Sequence, residues 1–215
     1  MEFSSPAASA VFAEYDARHQ RERALMRDLP AGEFGDRRDE FLLPIGARAG
    51  GFLRALIRGK EPKRILELGT SYGYSTLFLA DAAQSYGGQV ISVDLDAAKQ
   101  DYAAGMLARA GFADTVEFRC GDAIKLIAAD PGPLDFVLLD IWKNQYLPCF
   151  EAVYPKLAEE GIIASDNMIQ PASARDAVRR YRAAITAKED LQTMLLPVGS
   201  GIELSIRWSA GNPKL

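Results

Sequence analysis

Asp140, Lys143, Asp166 and Asn167 are the residues whose types and spacing best suit joint chemistry. Leu134-Asp135-Phe136-Val137-Leu138-Leu139 has strand character, and Asp140-Ile141-Trp142-Lys143 follows it directly. A second apolar run, 161–165, leads into Asp166-Asn167. If the two runs are parallel strands of one sheet, their carboxyl ends lie side by side. Asp140, Asp166 and Asn167 then converge three oxygen ligands on one point, which suits a hard divalent cation such as Mg²⁺. One aspartate at a strand end is usually a helix cap; three oxygen-bearing residues on two strand ends are a stronger signal. Lys143 follows Asp140 by one helical turn and can face the same point. Desolvation and a nearby cation lower a lysine from its ordinary pKa of about 10.4. Lys143 can then serve as a general base. The plainer alternative is a surface lysine with its stem laid along apolar groups.

A second constellation lies upstream, in Ile65-Leu66-Glu67-Leu68-Gly69-Thr70-Ser71-Tyr72-Gly73-Tyr74-Ser75. It reads as a strand, a glycine-bearing turn and a helix start. Gly69 lets backbone approach a ligand closely. The spacing departs from the G-x-G-x-x-G dinucleotide fingerprint. Glu67 would also repel a pyrophosphate and suits a cationic or zwitterionic ligand; otherwise it is a solvated residue beside a structural turn. Asp94 ends Val90-Ile91-Ser92-Val93-Asp94, where a carboxylate can accept from both ribose hydroxyls. Its alternative is a helix cap, a role Asp96 could fill instead. Gly121-Asp122-Ala123 puts another small-acidic-small turn on the same rim, suited to an adenine edge or to capping by Asp122.

These positions need a sheet to hold them. Residues 64–68, 89–95, 116–119, 134–140 and 161–165 read as buried strands. Helices begin near Ser75, Ala97, Ala123 and Asn144. This alternation predicts an α/β, Rossmann-like domain with a mostly parallel sheet and helices on both faces. A helix is expected over 171–188. Strands over 191–197 and 202–208, joined by Val198-Gly199-Ser200-Gly201, predict an antiparallel C-terminal hairpin. Ahead of the sheet, Ser5-Pro6 reads as an N-cap and first helical position. Residues 29–35 read as a loop, and 46–57 as a helix.

Composition narrows the class. The 215 residues suit one domain. With 25 basic and 29 acidic residues the net charge is −4, which argues against a broad nucleic-acid surface. Cys120 and Cys149 form no close pair, so a reducing compartment is expected. No run approaches the ~20 apolar residues of a membrane span. The first 27 residues have neither the basic nor the apolar region of a signal peptide, so a cytoplasmic protein is expected. The single histidine, His19, stands far from every motif, so histidine chemistry is not expected, and a solvated helix position is.

Glu67-Leu68-Gly69-x-x-x-Gly73-Tyr74-Ser75, Asp140-x-x-Lys143-x-x-Tyr146 and Asp166-Asn167 together resemble the cation-dependent O-methyltransferases, among them the catechol and caffeoyl-CoA types. Asp140-Ile141-Trp142-Lys143 looks closest to the catechol type. The resemblance covers about residues 42–208. It implies a class I S-adenosylmethionine-dependent methyltransferase fold, with S-adenosylmethionine and a divalent cation as cofactors, Mg²⁺ ahead of Mn²⁺ or Ca²⁺. Asp140, Asp166 and Asn167 match the metal ligands, and Lys143 the base. Glu67, Gly69, Ser71 and Ser75 match positions around the methionine moiety, and Asp94 the ribose ligand. Asp122, Ala123, Asp140 and Trp142 fall near the rest of the cofactor. Leu42-Leu43-Pro44-Ile45-Gly46 resembles a segment closing over cofactor and acceptor, with Ile45 toward the former and Leu43 toward the latter. Asn167 and Lys143 would also meet the acceptor. Gly201-Ile202-Glu203 resembles the catechol-type Gly-Leu-Glu, which implies that Glu203 accepts from a second hydroxyl.

The expected partner is a small aromatic vicinal diol, with no membrane partner. Relatives outside the catechol type imply a homodimer. Residues 1–45 are expected to form a helical lid, and 46–215 the catalytic domain. Two rivals are a hydroxylated transfer-RNA nucleoside as acceptor, using Arg175, Arg179, Arg180 and Arg182, and a non-enzymatic cofactor-binding protein.

Overall fold

The computed structural model describes residues 1–30 and 32–208. The strands are β1 (Arg64–Leu68), β2 (Gln89–Asp94), β3 (Val116–Cys120), β4 (Leu134–Leu139), β5 (Leu157–Ser165), β6 (Leu191–Leu196) and β7 (Ile202–Arg207). They form one sheet in the order β3-β2-β1-β4-β5-β7-β6. β1 to β5 run parallel, while β7 runs antiparallel to β5 and to β6. The chain turns outward in both directions from β1, which has β2 on one side and β4 on the other. Ligands of open α/β sheets bind at such a switch point, beyond the carboxyl ends of the strands.

Strand side chains alternate between two cores. Ile65, Val90, Phe136 and Ile162 enter one, and their neighbours Leu66, Ile91, Val137 and Ile163 enter the other. Both faces are covered, which is why these strands read as continuous apolar runs. The first core is closed by α1 (Pro6–Asp28), α3 (Ala47–Lys60), α4 (Tyr74–Gln84) and α5 (Ala97–Ala110). The second is closed by α6 (Ala123–Ala129), α7 (Tyr146–Val153) and α8 (Arg175–Thr186).

The N-terminal helix is part of the first core. Ser5 caps α1 by accepting from Ala8 N at 3.0 Å, and Ala8, Val11 and Tyr15 are buried. Asp81, fully buried on α4, accepts from Ser4 N at 2.7 Å and pairs with Arg54 at 2.5 Å. The expected 29–35 loop is interrupted by a short α2 (Glu33–Arg37) and a 3₁₀ turn, Arg38–Glu40. β5 begins at Leu157, before the expected residue 161, because its first residues include the polar pair Glu159-Glu160 beside a register shift. The 171–188 helix is split into a 3₁₀ turn, Ala172–Ala174, and α8. His19 is half-buried, not solvated: its Nδ1 is shielded without a partner, and burial lowers its pKa. Among the described residues no helix is long and apolar enough to cross a membrane.

Candidate active site

The turn after β1 is built around Gly69, whose φ is +104°. A Cβ there would lie 2.1 Å from the backbone oxygen of Asp140, so glycine alone permits the approach of the β1 and β4 ends. Asp140 N donates to Leu68 O at 2.9 Å, and Asp166 N to Leu139 O at 3.1 Å. These bonds carry the ladder past the strand ends and set the turn, Asp140 and Asp166 on one rim.

Glu67 is fully buried, which excludes the solvated alternative. It accepts from Ser75 Oγ at 2.5 Å and from Thr76 Oγ1 and Ser92 Oγ at 2.6 Å. Burial pushes its carboxyl up to about 7; the three hydroxyls offset part of that and the Asp140 charge adds to it. Thr70 Oγ1 lies 2.6 Å from Ser92 Oγ, and Gln100 Nε2 donates to Thr70 Oγ1 at 3.1 Å. Glu67 thus ties β1, β2 and α4 together beneath the turn.

The helix-cap role weighed for Asp94 falls to Asp96. Asp96 caps α5, accepting from Ala98 N at 2.9 Å and Lys99 N at 3.1 Å. Asp94 stays half-exposed on the rim, accepting from Ser71 N at 2.7 Å and Asp96 N at 3.0 Å. A carboxylate so held keeps further lone pairs for hydroxyl donors. Asp122 caps α6 through Lys125 N at 2.9 Å and is exposed; Ala123 beside it is half-buried. Leu43, Ser71 and Asn167 have φ of 42°, 45° and 57°. Such strained backbone in non-glycine residues gathers at functional sites.

Lys143 is no surface lysine, since its side chain is only 15% exposed. Its Nζ lies 3.5 Å from Asp140 Oδ1 and donates to Ile141 O at 3.1 Å and to the Tyr146 hydroxyl at 2.5 Å. Tyr146, itself buried, donates on to Asp166 O at 3.1 Å. Burial lowers the Lys143 pKa, Asp140 and Asp166 oppose the shift, and the Arg38 charge adds to it. Asp166 is 2% exposed, and neither carboxylate oxygen has a well-formed hydrogen bond. Burial pushes it up to about 7 and Asp140 reinforces this, while the Asn167 N–H and Lys143 oppose it. Asn167 is half-buried at the end of the same strand.

Glu203 stands on β7, beside the end of β5. It is fully buried, accepts from Thr193 Oγ1 at 2.7 Å and pairs with Arg182 at 2.8 Å. Its Oε2 has no well-formed hydrogen bond, so the carboxylate keeps acceptor capacity beside these partners. Ile45 is buried, whereas Leu43 is 39% and Trp142 49% exposed. Sequence reasoning missed Thr76, Ser92 and Gln100, which support the turn, and left Tyr146 without a role. It also missed Tyr15, whose hydroxyl donates to Tyr72 O at 2.5 Å and braces the turn from α1.

Known proteins share this arrangement of chain. A family model described as O-methyltransferase matches residues 21–208. A caffeoyl-CoA O-methyltransferase of Eucalyptus globulus is 28% identical over 188 residues, spanning 78% of this chain and 76% of that protein. A catechol O-methyltransferase of Niastella koreensis is 29% identical over 168 residues, spanning 72% and 75%. An O-methyltransferase from Bacillus cereus, solved in complex with SAH, has the same fold at TM-score 0.74 and 24% identity, over 95% of this chain and 91% of that one. With the match running through the glycine turn and the β4 and β5 ends, the chain belongs to the O-methyltransferase family and is an S-adenosylmethionine-dependent O-methyltransferase.

Proposed function

We propose that the protein methylates one hydroxyl of a small aromatic vicinal diol, with a divalent cation held by Asp140, Asp166 and Asn167. The observation carrying this reading is the Asp166 carboxylate, buried beside Asp140 with no well-formed hydrogen bond to either oxygen. Two like charges sharing a buried site are unfavourable unless a cation joins them. Among the described residues no three His, Cys, Asp or Glu side chains form a metal cluster. The fit here uses two carboxylates and one amide, an all-oxygen set that leaves positions for a chelating diol.

S-adenosylmethionine supplies an electrophilic methyl group on a sulfonium, and the cation supplies positive charge that makes a chelated hydroxyl more acidic. Lys143 accepts the hydroxyl proton at Nζ, and Tyr146 and Ile141 O hold that nitrogen in place. Asp94 binds the ribose, and Gly69, Ser71 and Ser75 surround the methionine end. Trp142, Asp122, Ala123 and Ile45 frame the remainder, while Leu43 faces the acceptor and residues 1–45 exclude water. The Arg patch on α8 offers little to a transfer RNA, because Arg182 pairs with Glu203 and Arg179 lies 3.7 Å from Asp176.

Chelation with EDTA abolishes turnover of a catechol, and Mg²⁺ restores it; full activity in excess EDTA rejects the cation. Asp166 has a folded pKa above its unfolded one, so without metal its contribution to stability is present at low pH and lost as pH rises through about 7. Mg²⁺ therefore raises Tm more at about pH 8 than at about pH 6. Asp94→Ala weakens S-adenosylmethionine binding by roughly tenfold or more, the worth of a charge-assisted hydrogen bond, with the unliganded melting curve nearly unchanged. Calorimetry showing unaltered affinity would restrict Asp94 to holding Ser71.

A further inference from the structure

Arg38 stands in the 3₁₀ turn just ahead of the Leu42-Leu43-Pro44 segment. Its guanidinium lies 4.8 Å from the centre of the Trp142 ring. Trp142 is half-exposed and sits in the chain between Asp140 and Lys143. Stacking on an aromatic face fixes the guanidinium plane without consuming any of its N–H donors. Its Nε is shielded from water and has no acceptor, and among the described residues no carboxylate forms an ion pair with it. The acids beside it in sequence are engaged elsewhere. Asp39 pairs with Lys99 at 3.0 Å, and Glu40 with Arg37 at 2.8 Å. Asp140 faces Lys143. Arg38 is therefore a cation without a counter-charge, close enough to the proposed base for Lys143 to feel it.

We propose that Arg38 receives a carboxylate carried by the acceptor, so that the site selects an anionic aromatic diol over a neutral one. This rests on the aromatic-diol reading above. A carboxylate fits better than a phosphate: the planar guanidinium fork matches it in two-point contact, and a doubly charged group would need a second cation. The neighbouring Arg37 and Lys99 are already paired.

The test is calorimetry on the full chain loaded with S-adenosylhomocysteine and Mg²⁺, titrated with protocatechuate, catechol and benzoate. Arg38→Ala lowers protocatechuate affinity by roughly tenfold, the worth of one charge-assisted pair, and catechol affinity by less than about twofold. Arg38→Lys restores only part of the difference, because an ammonium lacks the fork. Equal losses for protocatechuate and catechol overturn the proposal and make Arg38 a support for Trp142. A weaker S-adenosylhomocysteine affinity in Arg38→Ala, with the preference between diols unchanged, also overturns it. If neither diol binds, the aromatic-diol reading fails separately. Benzoate binding that depends on Arg38 then still supports the carboxylate receptor, and benzoate binding indifferent to Arg38 removes it.

Discussion

Lys143→Met lowers kcat by roughly 10²–10⁴-fold, the usual share of a general base, while S-adenosylmethionine affinity stays within about twofold. That loss corresponds to about 3–5 kcal/mol of transition-state stabilisation. Methionine keeps most of the side-chain volume but cannot take a proton. The lysine is well placed for the role: it is mostly buried, and its nitrogen is held between Ile141 O and the Tyr146 hydroxyl. Burial lowers its pKa. In the proposed role the neutral amine is the active form, so the wild-type rate is expected to rise with pH through this ionisation, and the methionine variant to lack that limb. Lys143→Arg does not rescue, because the guanidinium stays protonated. Single-turnover kinetics with saturating cofactor checks the result. A near-normal kcat in the methionine variant would remove Lys143 from the chemistry, and rescue by arginine would reduce it to a source of positive charge.

Gly69→Ala disrupts both fold and cofactor binding. The residue sits at φ +104°, where an L side chain is strained, and its Cβ would meet the backbone oxygen of Asp140 at 2.1 Å. Backbone strain and overpacking together cost about 2–6 kcal/mol. For a domain of this size that is a fall in Tm of roughly 5–20 °C. The obstructing atom is backbone, so relief requires parting the β1 turn from the β4 end. Gly105→Ala is the matched control. It lies within α5 with open space around its Cβ position, and alanine there raises stability by about 0.5–1 kcal/mol. Differential scanning calorimetry of both variants, with and without S-adenosylhomocysteine, decides the matter. A Gly69→Ala protein with wild-type Tm and cofactor affinity would mean that the turn tolerates a wider opening than its geometry indicates.

Much of this fold was legible in the chain because its signals are local. β1 lies where the apolar run 64–68 places it, and β2, β3 and β4 end within a residue of their expected limits. Strands covered on both faces must be apolar throughout, so they stand out from the amphipathic helices between them. Ser5, Asp96 and Asp122 cap helices through amides two or three residues away, a contact that short sequence windows contain. The aspartates at the β4 and β5 ends were visible for the same reason.

Only the tertiary structure decided what each buried polar group faces. Glu67 suggested a ligand contact from its place beside the turn, and only the fold shows that hydroxyls from α4 and β2 hold its oxygens. Glu203 matched a substrate contact by its Gly-Ile-Glu setting, and only the fold shows that Thr193 and Arg182 meet it as well. Arg38 carries no local mark at all; its meaning comes from Trp142, which the β4 end delivers from far along the chain. Periodic burial and capping are written in neighbouring residues, whereas a buried charge takes its partner from whatever strand order and helix packing bring within about 3 Å. That choice rests on register between distant segments, and a carboxylate in the sequence looks the same whether a serine, an arginine or a cation will meet it.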